Sequence, residues 1–309
     1  MKINFTNSLV AVGFLALSVN LSAQQETQSS LYFFNPVMVN PAYAGSQEAL
    51  QVTATVRDQW TGFKGAPKTQ CLSLHTPLRR ENIGIGFTVL NDAIGATKNT
   101  GFYGDFSYSI RLNQKNSRLA FGLKAGVDIY KTNFQPLRVN DNTDAVYTNG
   151  FNYTKTLFNT GAGIYYYGKR HYLGIASPRL IPNKINLTAD QTALQENHFY
   201  GFGGIVIKLN GALNLRPSFM VKYVKNAPLS MEGNLSLLIY DKVWVGLMYR
   251  HGAATGANIM FNLTQNLRAG YAYDYALTKI QNYSAGSHEI MLSYNLRSKS
   301  NGLKSPRYF

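Results

Sequence analysis

From Leu50 onward the chain alternates between apolar and polar positions. In "IGIGFTV", Ile83, Ile85, Phe87 and Val89 share one face, and Gly84, Gly86 and Thr88 the other. In "FYGDFSYSIRL", Phe102, Phe106, Tyr108, Ile110 and Leu112 oppose Tyr103, Asp105, Ser107, Ser109 and Arg111. "LAFGLKAGVDI" sets Leu119, Phe121, Leu123, Ala125, Val127 and Ile129 against Lys124 and Asp128, and the charges of 213–224 and 267–276 also keep to one face. Period two predicts β-strands, and clusters of Asn, Gly, Asp and Pro end each run after roughly eight to twelve residues. About fourteen such segments fit between 49 and 296, among them 82–90, 99–112, 118–130, 158–167 and 198–209.

A soluble sandwich and a soluble barrel share this alternation, but only 15% of the residues are charged, which is lean for a wet outer face. The chain has 21 Tyr, 17 Phe and 27 Gly, a mean hydropathy of −0.17, and after its first residues no apolar run long enough to span as a helix. Gly and Ser recur on the polar face, as a crowded lumen requires. Aromatics gather near strand ends, at Tyr165 to Tyr167, Tyr240 and Tyr271 to Tyr275, where an interfacial girdle would place them. The reading is an all-β protein, a transmembrane antiparallel outer-membrane β-barrel of about fourteen strands.

The first residues fit an export signal over 1–23: Lys2, an apolar core from Leu9 to Val19, and a small-residue cut after Ala23. An N-terminal extended, plug-like segment over 24–48, a barrel over 49–296 and a basic periplasmic tail over 297–309 complete the organisation. If the first strand runs outward, long connections fall outside and short ones inside, which leaves both termini in the periplasm. Lys169 and Arg170 then stand with Arg79 and Arg80 on a basic inner rim suited to an acidic or anionic partner. Nucleic acid is excluded as that partner by the exported setting and the lack of any binding motif.

Chemistry is sparse. The single Cys71 allows no intramolecular disulfide, the five His have no metal-ligand spacing, and Ser177 and His171 lack an acidic orienter. "GFGGI" at 201–205 lies inside an alternating strand, so its glycines make room for a bulky neighbour or a bulge rather than a phosphate. No catalytic, cofactor or metal residue is assigned, and an enzyme is the weakest class.

The stretch "YFFNPVMVNPAYAGSQEAL", 32–50, is unlike the rest. Pro36 and Pro41 remove two backbone donors and push Asn35 and Asn40 from helical geometry, so the segment is extended or turning. It is also too apolar to trail free, and must pack either in the lower lumen or on a partner. The run "FNPVMVNPAYAGS", followed by "ALQVTATVRDQW", "TGFKGAPKTQ" and "LSLHTPL", resembles the opening of the PorP/SprF family, outer-membrane proteins of the type IX secretion system of Bacteroidota. The resemblance is dense over 33–78. It implies a non-enzymatic barrel that assists secretion or surface anchoring of specific cargo, such as gliding adhesins. It also implies partners among the secretion ring and peptidoglycan-associated periplasmic components, beside the outer-membrane lipid. The matching positions give partner-binding candidates: Asn35, Pro36, Asn40, Pro41, Tyr43 and Gly45 in the segment, and Trp60 and Phe63 in a loop that either anchors at the membrane interface or grips cargo. The basic rim of Arg79, Arg80, Lys169 and Arg170 joins them. The rival reading is a diffusion porin or transporter, with pairs such as Lys124/Asp128 and Arg268/Asp274 lining a channel.

Overall fold

The computed structural model describes residues 28–47, 49–78, 82–112, 117–133, 152–186 and 192–296. Seven strands run first: β1 (Leu50–Asp58), β2 (Lys68–Pro77), β3 (Ile83–Ile94), β4 (Thr97–Arg111), β5 (Arg118–Asn133), β6 (Asn152–Tyr167) and β7 (His171–Arg179). A small separate hairpin follows, β8 (Asn183–Asn186) with β9 (Thr192–Gln195). The wall resumes with β10 (His198–Ile205) and its continuation β11 (Ile207–Lys208), then β12 (Leu213–Val224), β13 (Ser230–Ile239), β14 (Val243–Arg250), β15 (Ala254–Asn262), β16 (Leu267–Ala276) and β17 (Ser287–Leu296).

Every wall neighbour is antiparallel, and β1 pairs with β17 from Leu50↔Leu296 to Asp58↔His288. The sheet therefore closes into a barrel of 14 strands with no free edge. Closure satisfies the backbone within the wall, the condition for crossing hydrocarbon. We call the end where β1 begins and β17 finishes the near end, and the other the far end.

Burial inverts the order of a soluble protein. Along β5, Leu123 is 63% exposed while Asp128, five residues on and facing inward, is 0% exposed. On β4, Phe102, Phe106, Tyr108 and Ile110 face out, and Tyr103, Asp105, Ser107 and Ser109 are buried. The apolar belt faces lipid and the polar face lines the lumen, as the alternation predicts.

Four differences from the sequence expectations have local causes. β3 and β4 are longer than 82–90 and 99–112 suggest, because they continue past the alternating region into a tight hairpin at Gly95, whose φ is +58°. The hairpin β8–β9 stands between β7 and β10, where no strand is expected from the pattern; each of its strands has only four residues, too few to set a period. Tyr165 and Tyr167 are buried in the lumen rather than in an outer girdle; they alternate with Tyr166 and fall on the inward face. The "GFGGI" strand is interrupted after Ile205 although its register holds, with the Val206 amide donating to Arg170 O at 2.6 Å next to the Ile205↔His171 pair, and Gly204 lies against the Tyr172 ring.

Candidate functional site: a lumen occupied by its own chain

The segment before β1 forms three 3-10 turns, Tyr32–Phe34, Pro36–Met38 and Pro41–Tyr43. Proline opens the second and third, where its fixed φ fits and its missing N–H costs nothing. Asn40 caps the third: its Oδ1 accepts from the Ala42 amide at 2.9 Å. These turns are buried inside the barrel, against inward-facing side chains.

The wall is shaped for them. A Cβ at Gly122 on β5 would overlap the backbone of Ala42, and one at Gly163 on β6 would overlap the Asn40 side chain. At the near end, Gly45 adopts φ +70°, and a Cβ on it would stand 2.5 Å from the Gly84 Cα. Glycine thus lets the segment lie directly on the strands.

Polar contacts fix its register. Asn40 Nδ2 donates to Ile164 O at 3.1 Å, Ser73 Oγ to Asn35 Oδ1 at 3.0 Å, Ser107 Oγ to Ala44 O at 2.5 Å, and the Gly45 amide to His75 Nδ1 at 3.3 Å. Lys124 Nζ reaches Val37 O at 3.4 Å. Aromatic packing fills the near half. Tyr43 stands edge-on to His75 and Tyr165, with centroids at 5.2 and 5.4 Å, and Tyr165 stacks on Tyr167 and Phe202. The Arg216 guanidinium, fully buried, lies over Phe33, Phe34 and Trp244 at 4.6, 4.6 and 4.2 Å from the ring centroids. A cation stripped of water gains most from such faces.

At its first described residues the segment reaches the far half. Ser30 Oγ donates to Asp274 Oδ2 at 2.5 Å, the Ser30 amide to Glu289 Oε2 at 2.6 Å, and Ser29 Oγ to Glu289 Oε1 at 2.5 Å. Arg57 bridges both carboxylates, at 2.7 and 3.0 Å. Since Arg57 and Glu289 are next to the far-end pair of β1 and β17, the segment crosses the lumen from far to near before entering the wall. Gln28 and Leu296, the first and last described residues, therefore lie in opposite halves of the barrel.

The site candidates separate into groups. Asn35, Pro36, Asn40, Pro41, Tyr43 and Gly45 converge in the near-half packing just described. Trp60 and Phe63 sit on the far-end loop 59–67. Its Thr61 amide donates to Gly286 O at 2.8 Å, and Gly65 O accepts from the Gly95 amide at 2.9 Å, so the loop is fastened to both neighbours. Trp60 takes φ +51° with its amide on Ser287 Oγ at 3.1 Å, while the Phe63 side chain is 44% exposed. Lys169 and Arg170 are exposed in the near-end turn between β6 and β7. Arg79 and Arg80 lie outside the described residues. The suggested pairs are re-partnered: Lys124 binds Asp105 at 3.3 Å, Asp128 binds Arg179 at 3.3 Å, and Asp274 binds Arg57. The Arg216 cage and the Ser29–Ser30 contacts carry no sequence signal, because their partners are remote in the chain.

A sequence profile described as "Type IX secretion system membrane protein PorP/SprF" matches residues 21–294. The chain belongs to the PorP/SprF family. It is accordingly an outer-membrane β-barrel and a membrane protein of type IX secretion. Neither the family nor the fold is that of a known enzyme class. No curated protein matches the chain. Among solved structures, the CymD monoaromatic hydrocarbon channel is similar at 12% identity over 89% of this chain and 94% of its own, with a TM-score of 0.54. A Pseudomonas aeruginosa FadL homologue matches at 11% identity over 84% and 92%, with a TM-score of 0.48. At these identities the likeness of this chain to CymD concerns the barrel alone.

Proposed function

We propose that this protein is a closed outer-membrane barrel that assists secretion or surface anchoring of particular type IX cargo by binding, without turnover. The observation that carries this reading is the occupied lumen: a segment with its backbone against Gly122, its Asn40 side chain against Gly163 and a packed aromatic near half is built to stay. A diffusion pore needs the opposite.

In this reading the near end faces the periplasm. The exposed Lys169 and Arg170, with Arg79 and Arg80, meet acidic surfaces of the secretion ring and its peptidoglycan-associated components. The far end faces outward, and the fastened loop with Trp60 and exposed Phe63 meets the cargo. Rigid loops with an aromatic tip are suited to this, since little entropy is lost on binding.

The test is affinity purification of the tagged protein from native outer membranes in mild detergent, with mass spectrometry of its companions. Recovery of secretion-ring or translocon components with a large surface protein supports the adaptor, and charge reversal at Lys169 and Arg170 then lowers the ring yield. A lone barrel that conducts ions in planar bilayers would transfer the assignment to a diffusion porin.

A further inference from the structure

Beyond the packed segment, the far half of the lumen holds a cavity of about 880 Å³, its open mouth included. Met38 and Val39 of the segment form apolar lining with Leu90, Tyr103, Tyr200 and Met220. Apolar cavities with a few convergent polar groups are where small ligands bind.

Besides Thr88 Oγ1, two polar atoms on the lining are buried and take no hydrogen bond. One is Tyr32 Oη. The other is Glu232 Oε1. Arg250 spends both of its bonds to Glu232 on the other oxygen, Nε at 2.9 Å and Nη2 at 2.6 Å. Around this pair, three carboxylates share two guanidiniums: Arg57 serves Asp274 and Glu289, and Arg250 serves Glu232 with Asp274 at 3.9 Å. Lys222 also lines the cavity, yet Glu232 Oε1 takes no bond from it. Lys124 and Arg179, the remaining cations of the lining, are engaged by Asp105 and Asp128. A buried carboxylate oxygen without a donor is costly, and a positive donor arriving on an apolar stem would relieve it.

We propose that this cavity binds a primary ammonium group carried on a short apolar chain, with the ammonium on Glu232 Oε1 and Tyr32 Oη and the chain against Val39, Leu90 and Met220. Both a free aliphatic amine and a lysine side chain of an extracellular polypeptide have this chemistry. The site is independent of the secretion role, and its ligand would touch the luminal segment and the wall together.

The experiment uses the full mature chain in detergent micelles, titrated by calorimetry with n-butylammonium, n-butyrate and Nα-acetyl-lysine amide at matched ionic strength. We expect n-butylammonium to bind at least tenfold more tightly than n-butyrate. Glu232→Gln should weaken it tenfold or more, Tyr32→Phe severalfold, and Val39→Phe should abolish it by filling the cavity without altering a charge. Heat-modifiable migration on gels verifies that each variant barrel is folded. Equal or tighter binding of n-butyrate would overturn the proposal, because the lining cations would then dominate. Unchanged n-butylammonium binding in both Glu232→Gln and Val39→Phe would overturn it too. Binding of the lysine derivative supports a polypeptide ligand, and binding of n-butylammonium alone supports a small amine.

Discussion

The two halves of the lumen solve the same problem in opposite ways. In the near half the barrel is filled by its own chain: Phe33, Phe34 and Tyr43 meet Tyr165, Phe202 and Trp244, and the fully buried Arg216 rests on aromatic faces. In the far half many inward residues are charged, held in pairs such as Arg57–Asp274, Lys124–Asp105 and Arg179–Asp128, and a cavity with apolar lining remains between them. Packing excludes water and seals, whereas paired charges keep a space polar and open to a ligand. The contrast shows that an inward face read simply as polar can hold either a core or a site, depending on what the chain sends back into it.

The largest effect should come from removing the filling. Deletion of residues 28–46 takes away the near-half core without touching a wall strand. Planar-bilayer recordings should change from silent to steady conductance, with gel mobility still that of a folded barrel. A folded but silent deletion would break the comparison, since the seal would then lie elsewhere. A single substitution asks the same question more sharply. Gly122→Leu puts a side chain where the Ala42 backbone lies, which should cost several kcal/mol, at least the ~1–3 kcal/mol of ordinary overpacking. Gly201→Ala on β10 has open space around its new methyl and should leave the urea midpoint in micelles unchanged.

That pair of glycines also marks where the sequence stops being legible. The barrel and its strands could be read because a lipid-facing wall forces period two, and the fourteen wall strands follow from it. Strand ends could not, because β3 and β4 continue into a hairpin of Asn, Asp, Thr and Lys, where neither face is apolar. In the segment, proline chemistry excludes a helix from Asn35 and Asn40 onward, but nothing in the sequence distinguishes Gly122, which carries the Ala42 backbone, from Gly201, which carries nothing. The charged face was equally plain and its pairing was not. Lys124 and Asp128 are four apart on one strand, yet the register sets Lys124 directly across from Asp105. Partnership inside a barrel is a property of neighbouring strands, invisible to a pattern read along one.

Within the far half the comparison can be sharpened by charge removal. Arg57→Ala would leave Asp274 and Glu289 without the guanidinium that bridges them, and Ser30 would lose the bond from Arg57 Nη1 at 3.0 Å. Breaking one side of a buried ion pair costs about 3–5 kcal/mol, so the urea midpoint should drop sharply. Arg57→Ala combined with Asp274→Asn and Glu289→Gln should recover most of that loss, because no stranded charge remains. If the triple variant is no better than the single one, the cost lies in lost packing and hydrogen bonds, and the far half is held together more like the near half than its charges suggest. A smaller effect is expected at the cap that begins the last turn of the segment. Asn40→Ala removes the acceptor for the Ala42 amide and the donor to Ile164 O, and should cost about 1–2 kcal/mol from the cap alone, with conductance still absent.

The smallest effect is the control for all of these. Lys68 and Asp58 form an ion pair at 3.3 Å across β1 and β2 at the far rim, but their side chains are 70% and 38% exposed. Water already screens both charges, and two mobile side chains must be ordered to bring them together, so such pairs contribute about 0–1 kcal/mol. Lys68→Ala should therefore shift the urea midpoint by less than Asn40→Ala, and raising the salt concentration should abolish what shift there is. The same salt should leave the Arg57→Ala loss nearly unchanged, because counterions do not enter a dry cluster. A salt-sensitive Arg57 effect would mean that water reaches the Asp274–Glu289 pair, and the far half would then be a wet vestibule rather than a desolvated site.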